Sequence, residues 1–229
     1  MTASPERASW LALIPLGLTG VFYLLPAWHQ RNLFLQLLPQ LAGYGALAVW
    51  WTFNPHALTG LGLSRGRLDQ GILWGLCTGC VLGVVNATVI LRVVPAMGGE
   101  ITFLLGTPHA NVPTLVMIPW LSIVIAAGVE LHFRGFLLGR LESGCRHWMP
   151  ESCAAGLPLC SLTAMLLSTL AFAWDPFMVM TFRHLHWIAV WDGLLWAALF
   201  LRWRNLLAVL VAHATEVMIL YLSVKAALT

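Results

Sequence analysis

The chain alternates long apolar runs with short polar turns, and the runs are long enough to cross a bilayer as helices. The first extends from Trp10 to Trp28, and His29, Gln30, Arg31 and Asn32 turn it into a second from Leu33 to Trp51. Asn54-Pro55 breaks that helix, and the segment to Asp69, Gly-rich and basic at Arg65 and Arg67, reads as an interfacial connection. A third run, Gly71 to Val93, carries Gly75, Gly79 and Gly83 at four-residue spacing, a stripe that lets a neighbouring helix approach closely. Asn86 is its one strongly polar interior position. The Gly- and Pro-containing stretch from Pro95 to Pro113 reads as a loop. A fourth run goes from Thr114 to Leu141, longer than a bilayer requires, and Arg140, Glu142, Arg146 and Glu151 then mark a wet loop. The fifth covers Leu157 to Trp174 and stops at Asp175-Pro176, the sixth Trp187 to Leu201, and the seventh Leu206 to Leu222. Phe177 to His186 reads as re-entrant or interfacial. The expected architecture is an all-α polytopic membrane bundle of about seven transmembrane helices, or eight if the 95–113 loop hides one.

Composition agrees with the pattern. The apolar fraction is 59% and the charged fraction 9% over 229 residues, which excludes an ordinary soluble domain. One integral-membrane domain over residues 1–229 is the expectation. The formal charge of +3 comes from scattered Arg and the single Lys225. No basic block is present, so nucleic acid is not an expected partner; the lipid bilayer is. With seven spans, Arg7, Arg65, Arg67, Arg140, Arg146, Arg202 and Arg204 fall on the N-terminal side, against Arg31, Arg92, Arg183 and Lys225. That excess favours a cytoplasmic N-terminus. Trp28, Trp50, Trp51, Trp174, Trp187 and Trp203 fall at span ends, as interface anchors do. Five cysteines make no disulfide framework, and the Cys77-x-x-Cys80 pair lies in an apolar helix without a redox motif's strand context.

Charge inside apolar runs is the chemical signal. Glu130, His132 and Arg134 interrupt the fourth run, and His213 and Glu216 the seventh. Ionisable residues at membrane depth are expensive and default to functional hypotheses. On an α-helix Glu130 and Arg134 share a face and can pair. A carboxylate and an imidazole in a dry site can hold a water and act as base and acid. The same groups can instead satisfy one another as interhelical glue, and spacing alone leaves both readings open. Glu130, His132 and His184-x-His186 are conceivable metal ligands, but no two His four apart form a zinc-protease helix motif. Asp192 would suit a proton path, yet no internal repeat supports a transporter.

The segment Glu130-Leu-His-Phe-Arg134-Gly-Phe-Leu resembles the first motif of the CPBP intramembrane proteases, the CAAX-protease and bacteriocin-processing family, whose usual form is Glu-Glu-x-x-x-Arg-Gly. Ser168-Thr-Leu-Ala-Phe172 is similar to the start of that family's second motif, Phe-x-x-x-His. Gly193 through Asn205 to His213 resembles its last helix pair, and Leu61-Gly-Leu-Ser-Arg65 has the family's look. The likeness covers about residues 60–220. It departs at three positions: Val129 replaces the first Glu, Pro176 the second-motif His, and Val217 the third-motif Asn or Asp.

The resemblance implies a glutamate-type intramembrane endopeptidase without cofactor or metal, acting on a membrane-anchored peptide or protein. Glu130, Arg134 and His213 carry over as catalytic candidates. His132, Asp175 and Glu216 lie near the three vacated positions and are further candidates in a rebuilt site. The second Phe-x-x-x-His match, Phe182 to His186, has spacing that suits the family poorly. A bacterial inner (cytoplasmic) membrane is the expected setting. The alternative is a non-catalytic membrane binding or immunity-type protein of the same fold, with structural buried charges.

Overall fold

A computed structural model describes residues 6–63, 68–148, 153–154 and 157–229. Among the described residues it is mainly helical, with one two-residue antiparallel pair, Cys153–Ala154 with Leu157–Pro158. After a 3-10 turn at Ser9–Ala12 come α1 (Leu13–Leu24), α2 (Leu33–Phe53), α3 (Leu68–Thr88), α4 (Ser122–Glu130) and α5 (Gly139–Trp148). The chain continues with α6 (Leu159–Ala173), α7 (Pro176–Phe182), α8 (Ile188–Trp203) and α9 (Leu206–Leu228). Arg65, Arg67 and Glu151 lie outside the described residues, as does the end of the Leu61 to Arg65 match.

The polar residues that interrupt the apolar runs act as helix caps. Asn32 Oδ1 accepts from the amides of Phe34 and Leu35 at the start of α2, 2.9 and 3.3 Å away. Asn205 Oδ1 accepts from Leu207 N, 3.0 Å, at the start of α9. Each satisfies donors a helix start leaves unpaired. Two of the apolar helices widen locally. α3 runs through a π turn at Val89–Val93 to Ala96, and α4 is joined to α5 by a π segment, Leu131–Leu138.

Among the described residues, four helical stretches are long and apolar enough to cross a membrane: Leu33–Phe53, Leu68–Ala96, Ser122–Arg146 and Leu206–Leu228. Leu159–Ala173 and Pro176–Leu185 form a pair bent by 49°, which makes five if taken as one broken span. Together with the composition this is a multi-pass membrane protein. The bend falls at Asp175-Pro176, where the fifth run was expected to stop.

The chain divides into two compact units. One comprises the described parts of Met1–Leu63 and of Leu131–Trp203; the other, the described part of Ser64–Glu130 with Arg204–Thr229. In the second, α9 packs on α3 and α4. Gly71, Gly75, Gly79 and Gly83 form the α3 side of that contact: a Cβ at Gly75 would lie 2.7 Å from the Ala208 carbonyl oxygen and 2.6 Å from Val211 Cβ. The glycine stripe lets the two backbones touch, as its spacing suggested.

In the first unit the expected wet loop at 140–146 is instead helix, with Arg140 and Glu142 buried. Arg140 pairs with Glu6 and lies 4.1 Å over the Trp50 ring. Glu142 accepts from Ser161 Oγ, 2.5 Å, and Arg146 Nη2, 3.2 Å. Charges with partners at hand can stay inside. Trp50, expected as an interface anchor, is likewise buried and donates to Glu6 Oε1 at 2.9 Å.

Candidate functional site

Glu130 is the last residue of α4 and is fully buried. Its Oε1 lies 2.7 Å from Nδ1 of His213, which α9 carries on the face turned to α4. Residues separated by 83 positions thus meet inside one unit. One turn along α9, Glu216 is also buried, and its Oε1 accepts a 2.6 Å hydrogen bond from Nδ2 of Asn86 on α3. Three helices therefore contribute to two polar contacts that follow one another along α9, Glu130 with His213 and Glu216 with Asn86. Burying such groups without hydrogen bonds would cost several kcal/mol each.

The rest of the first motif lies in the other unit, since the division falls between Glu130 and Leu131. From Leu131 the backbone adopts i→i+5 bonding, a geometry that recurs at functional sites. The α-helical spacing expected to put Glu130 and Arg134 on one face does not describe this segment. Arg134 is fully buried. Its guanidinium carbon lies 4.4 Å from the Phe172 ring centre and 5.0 Å from that of Trp196. A side chain at Gly193 would meet Thr169 Cγ2 at 2.9 Å and Arg134 Nη2 at 3.4 Å. Ser168 Oγ donates to the Phe133 carbonyl, 2.8 Å, tying α6 to the widened turn.

His132 packs its ring where a Gly43 side chain would be, 5.7 Å from the Tyr44 ring centre. Asp175 is buried as the N-cap of α7, accepting from Phe177 N (3.1 Å), Met178 N (3.2 Å) and Gln40 Nε2 (2.8 Å). His184 is exposed, and His186 faces Trp174, 5.9 Å between ring centres. Among the described residues no three His, Cys, Asp or Glu side chains are placed to hold a metal ion.

Residue spacing does not mark three of the participants. Asn86 stands out as polar in an apolar run, but nothing in its own helix points to Glu216, 130 positions away. Trp196 stands in the middle of an apolar run rather than at its end, and that position is its one usable signal. Gln40, the partner of Asp175, gave none.

Residues 111–219 match the profile of the Rce1-like family, described as type II CAAX prenyl endopeptidases. The match bears out the resemblance read from the motifs and spans Glu130, Arg134, His213 and Glu216, while Asn86 lies before it. No curated protein and no solved structure matches the chain.

Proposed function

From the prenyl-endopeptidase match over residues 111–219 as premise, we propose that this protein is an intramembrane endopeptidase in which Glu130 activates a water for attack on a peptide carbonyl. The observation that carries the reading is the buried 2.7 Å contact between Glu130 Oε1 and His213 Nδ1. An Nδ1–H donated to the carboxylate orients the imidazole and leaves its second nitrogen as the proton-handling atom. Base and acid then sit side by side in a site that excludes bulk water. The substrate is a membrane-associated peptide or protein tail, of the lipid-anchored class the family's description names. Arg134 holds the motif turn against α6 and α8. Glu216 belongs with His213, whereas the surroundings of Asp175 and His132 favour a cap and a packing role.

The mechanism uses side chains alone, without metal or cofactor. Seven spans, a cytoplasmic N-terminus and a bacterial inner membrane complete the reading. They rest on the apolar runs, the distribution of Arg and the compactness of the chain.

Val129, Pro176 and Val217 favour a second reading, a binding protein of the same fold in which Glu130 and His213 are structural partners. Purified protein in lipid, challenged with a panel of membrane-anchored peptides, distinguishes them. The protease reading expects cleavage by wild type and a loss of about 10²-fold or more in Glu130→Gln and His213→Ala. Full activity in folded Glu130→Gln contradicts it, and an inert wild type favours the second reading.

A further inference from the structure

Asn86 stands outside the stretch that matches the endopeptidase profile, yet it reaches the same polar centre. It continues the glycine-lined side of α3 that packs on α9, three residues beyond Gly83. Beside Ala87, where the four-residue stripe continues with a small residue, α3 presents a carboxamide. Asn86 is fully buried and Glu216 nearly so, and their 2.6 Å hydrogen bond is short, as expected when the acceptor is charged. Glu216 lies three positions after His213, hence on the same face of α9.

Stability alone gives no reason for this pair. Buried polar partners can often be exchanged for well-packed apolar residues without loss, because desolvation offsets much of what the contact returns. An amide does something an apolar side chain cannot: it fixes one carboxylate oxygen in space without itself cancelling the charge. The glycine contacts fix the separation of α3 and α9, and so fix where that amide stands.

We propose that Asn86 is a positioning residue of the proteolytic site, acting through Glu216 to hold the polar face of α9 on which His213 presents its imidazole. The inference rests on the protease reading and extends the site to α3. It predicts that the matched stretch is insufficient for full activity even when correctly folded.

The test compares Asn86→Leu, of similar volume but without a donor, with Asn86→Gln and Glu216→Gln in the full-length protein in lipid, using the same peptide panel. The expected result for Asn86→Leu and Glu216→Gln is a fall in kcat of about 10- to 100-fold with KM near that of wild type; melting temperature stays near wild type in Glu216→Gln and falls in Asn86→Leu, which withdraws a donor from a buried carboxylate. Asn86→Gln, which keeps the amide, should recover part of the loss. Wild-type kcat in folded Asn86→Leu, with Glu130→Gln inactive, overturns the inference and leaves the protease reading standing. Equal losses in the Leu and Gln variants, accompanied by equal falls in melting temperature, reduce Asn86 to a packing role and overturn it too. If Asn86→Leu does not fold, Glu216→Gln decides, and wild-type kcat there is the overturning result. An inert wild type removes both proposals together.

Discussion

Glu130 meets an imidazole at hydrogen-bond distance, whereas Arg134, four residues later in the same motif, lies against the rings of Phe172 and Trp196. The two motif residues thus have different surroundings, each within its own unit. In the unit of α3, α4 and α9, glycines bring backbones together, and the buried carboxylates of α4 and α9 find an imidazole and an amide on facing helices. In the other, aromatic faces cover a guanidinium, a favourable arrangement because the ring quadrupole attracts a cation and Arg is more weakly hydrated than Lys. Close packing serves polar pairing around Glu130, and aromatic rings pack against the guanidinium of Arg134.

The contrast can be broken most severely at the glycine contact. Gly75→Ala places a methyl against the Ala208 carbonyl and Val211, and α9 must shift to admit it. A loss of about 2–3 kcal/mol is expected, read as a lower melting temperature in detergent. Gly17→Ala in α1, where nothing lies within 4 Å of the new methyl, is the control and should be neutral or slightly stabilising. Equal effects at the two positions would remove backbone contact as the basis of the α3–α9 interface.

The aromatic side of the comparison is sharpened by Arg134→Lys. The charge is kept and the planar group lost, so about 2 kcal/mol of stability should go, measured by thermal or denaturant unfolding in detergent. An unchanged midpoint would mean that charge alone matters there. The smallest effect is expected from Asp175→Ala, which removes the cap of α7 and the partner of Gln40, at about 1 kcal/mol. If this substitution instead abolishes cleavage while α7 stays folded, Asp175 is part of the chemistry and its assignment as a cap is wrong.

Much of the helical layout was legible because each boundary had a local cause. Asn32, Asn205 and Asp175-Pro176 end apolar runs in the sequence, and each caps the helix that follows. The glycines of α3 announced a close neighbour by spacing alone. Around Arg140 and Glu142 the charges suggest a wet loop, but Glu6 and Ser161, distant in sequence, make burial tolerable there. The motif turn is hidden for another reason. Apolar and polar residues alternate along Leu131–Leu138 in a way any helix could accept, and only backbone hydrogen bonding distinguishes i→i+5 from i→i+4.

By itself, then, the sequence determined the class of the protein, the helix boundaries that a capping residue or proline marks, and the charged residues that lipid would not tolerate unpartnered. These follow from transfer energies and capping chemistry, which act within a few residues of the chain. Which charge meets which partner was decided by tertiary structure alone. His213 reaches Glu130 across 83 positions, and Glu216 reaches Asn86 across 130. A hydrogen bond depends on tenths of an ångström between helices, and that distance is set by every side chain packed between them.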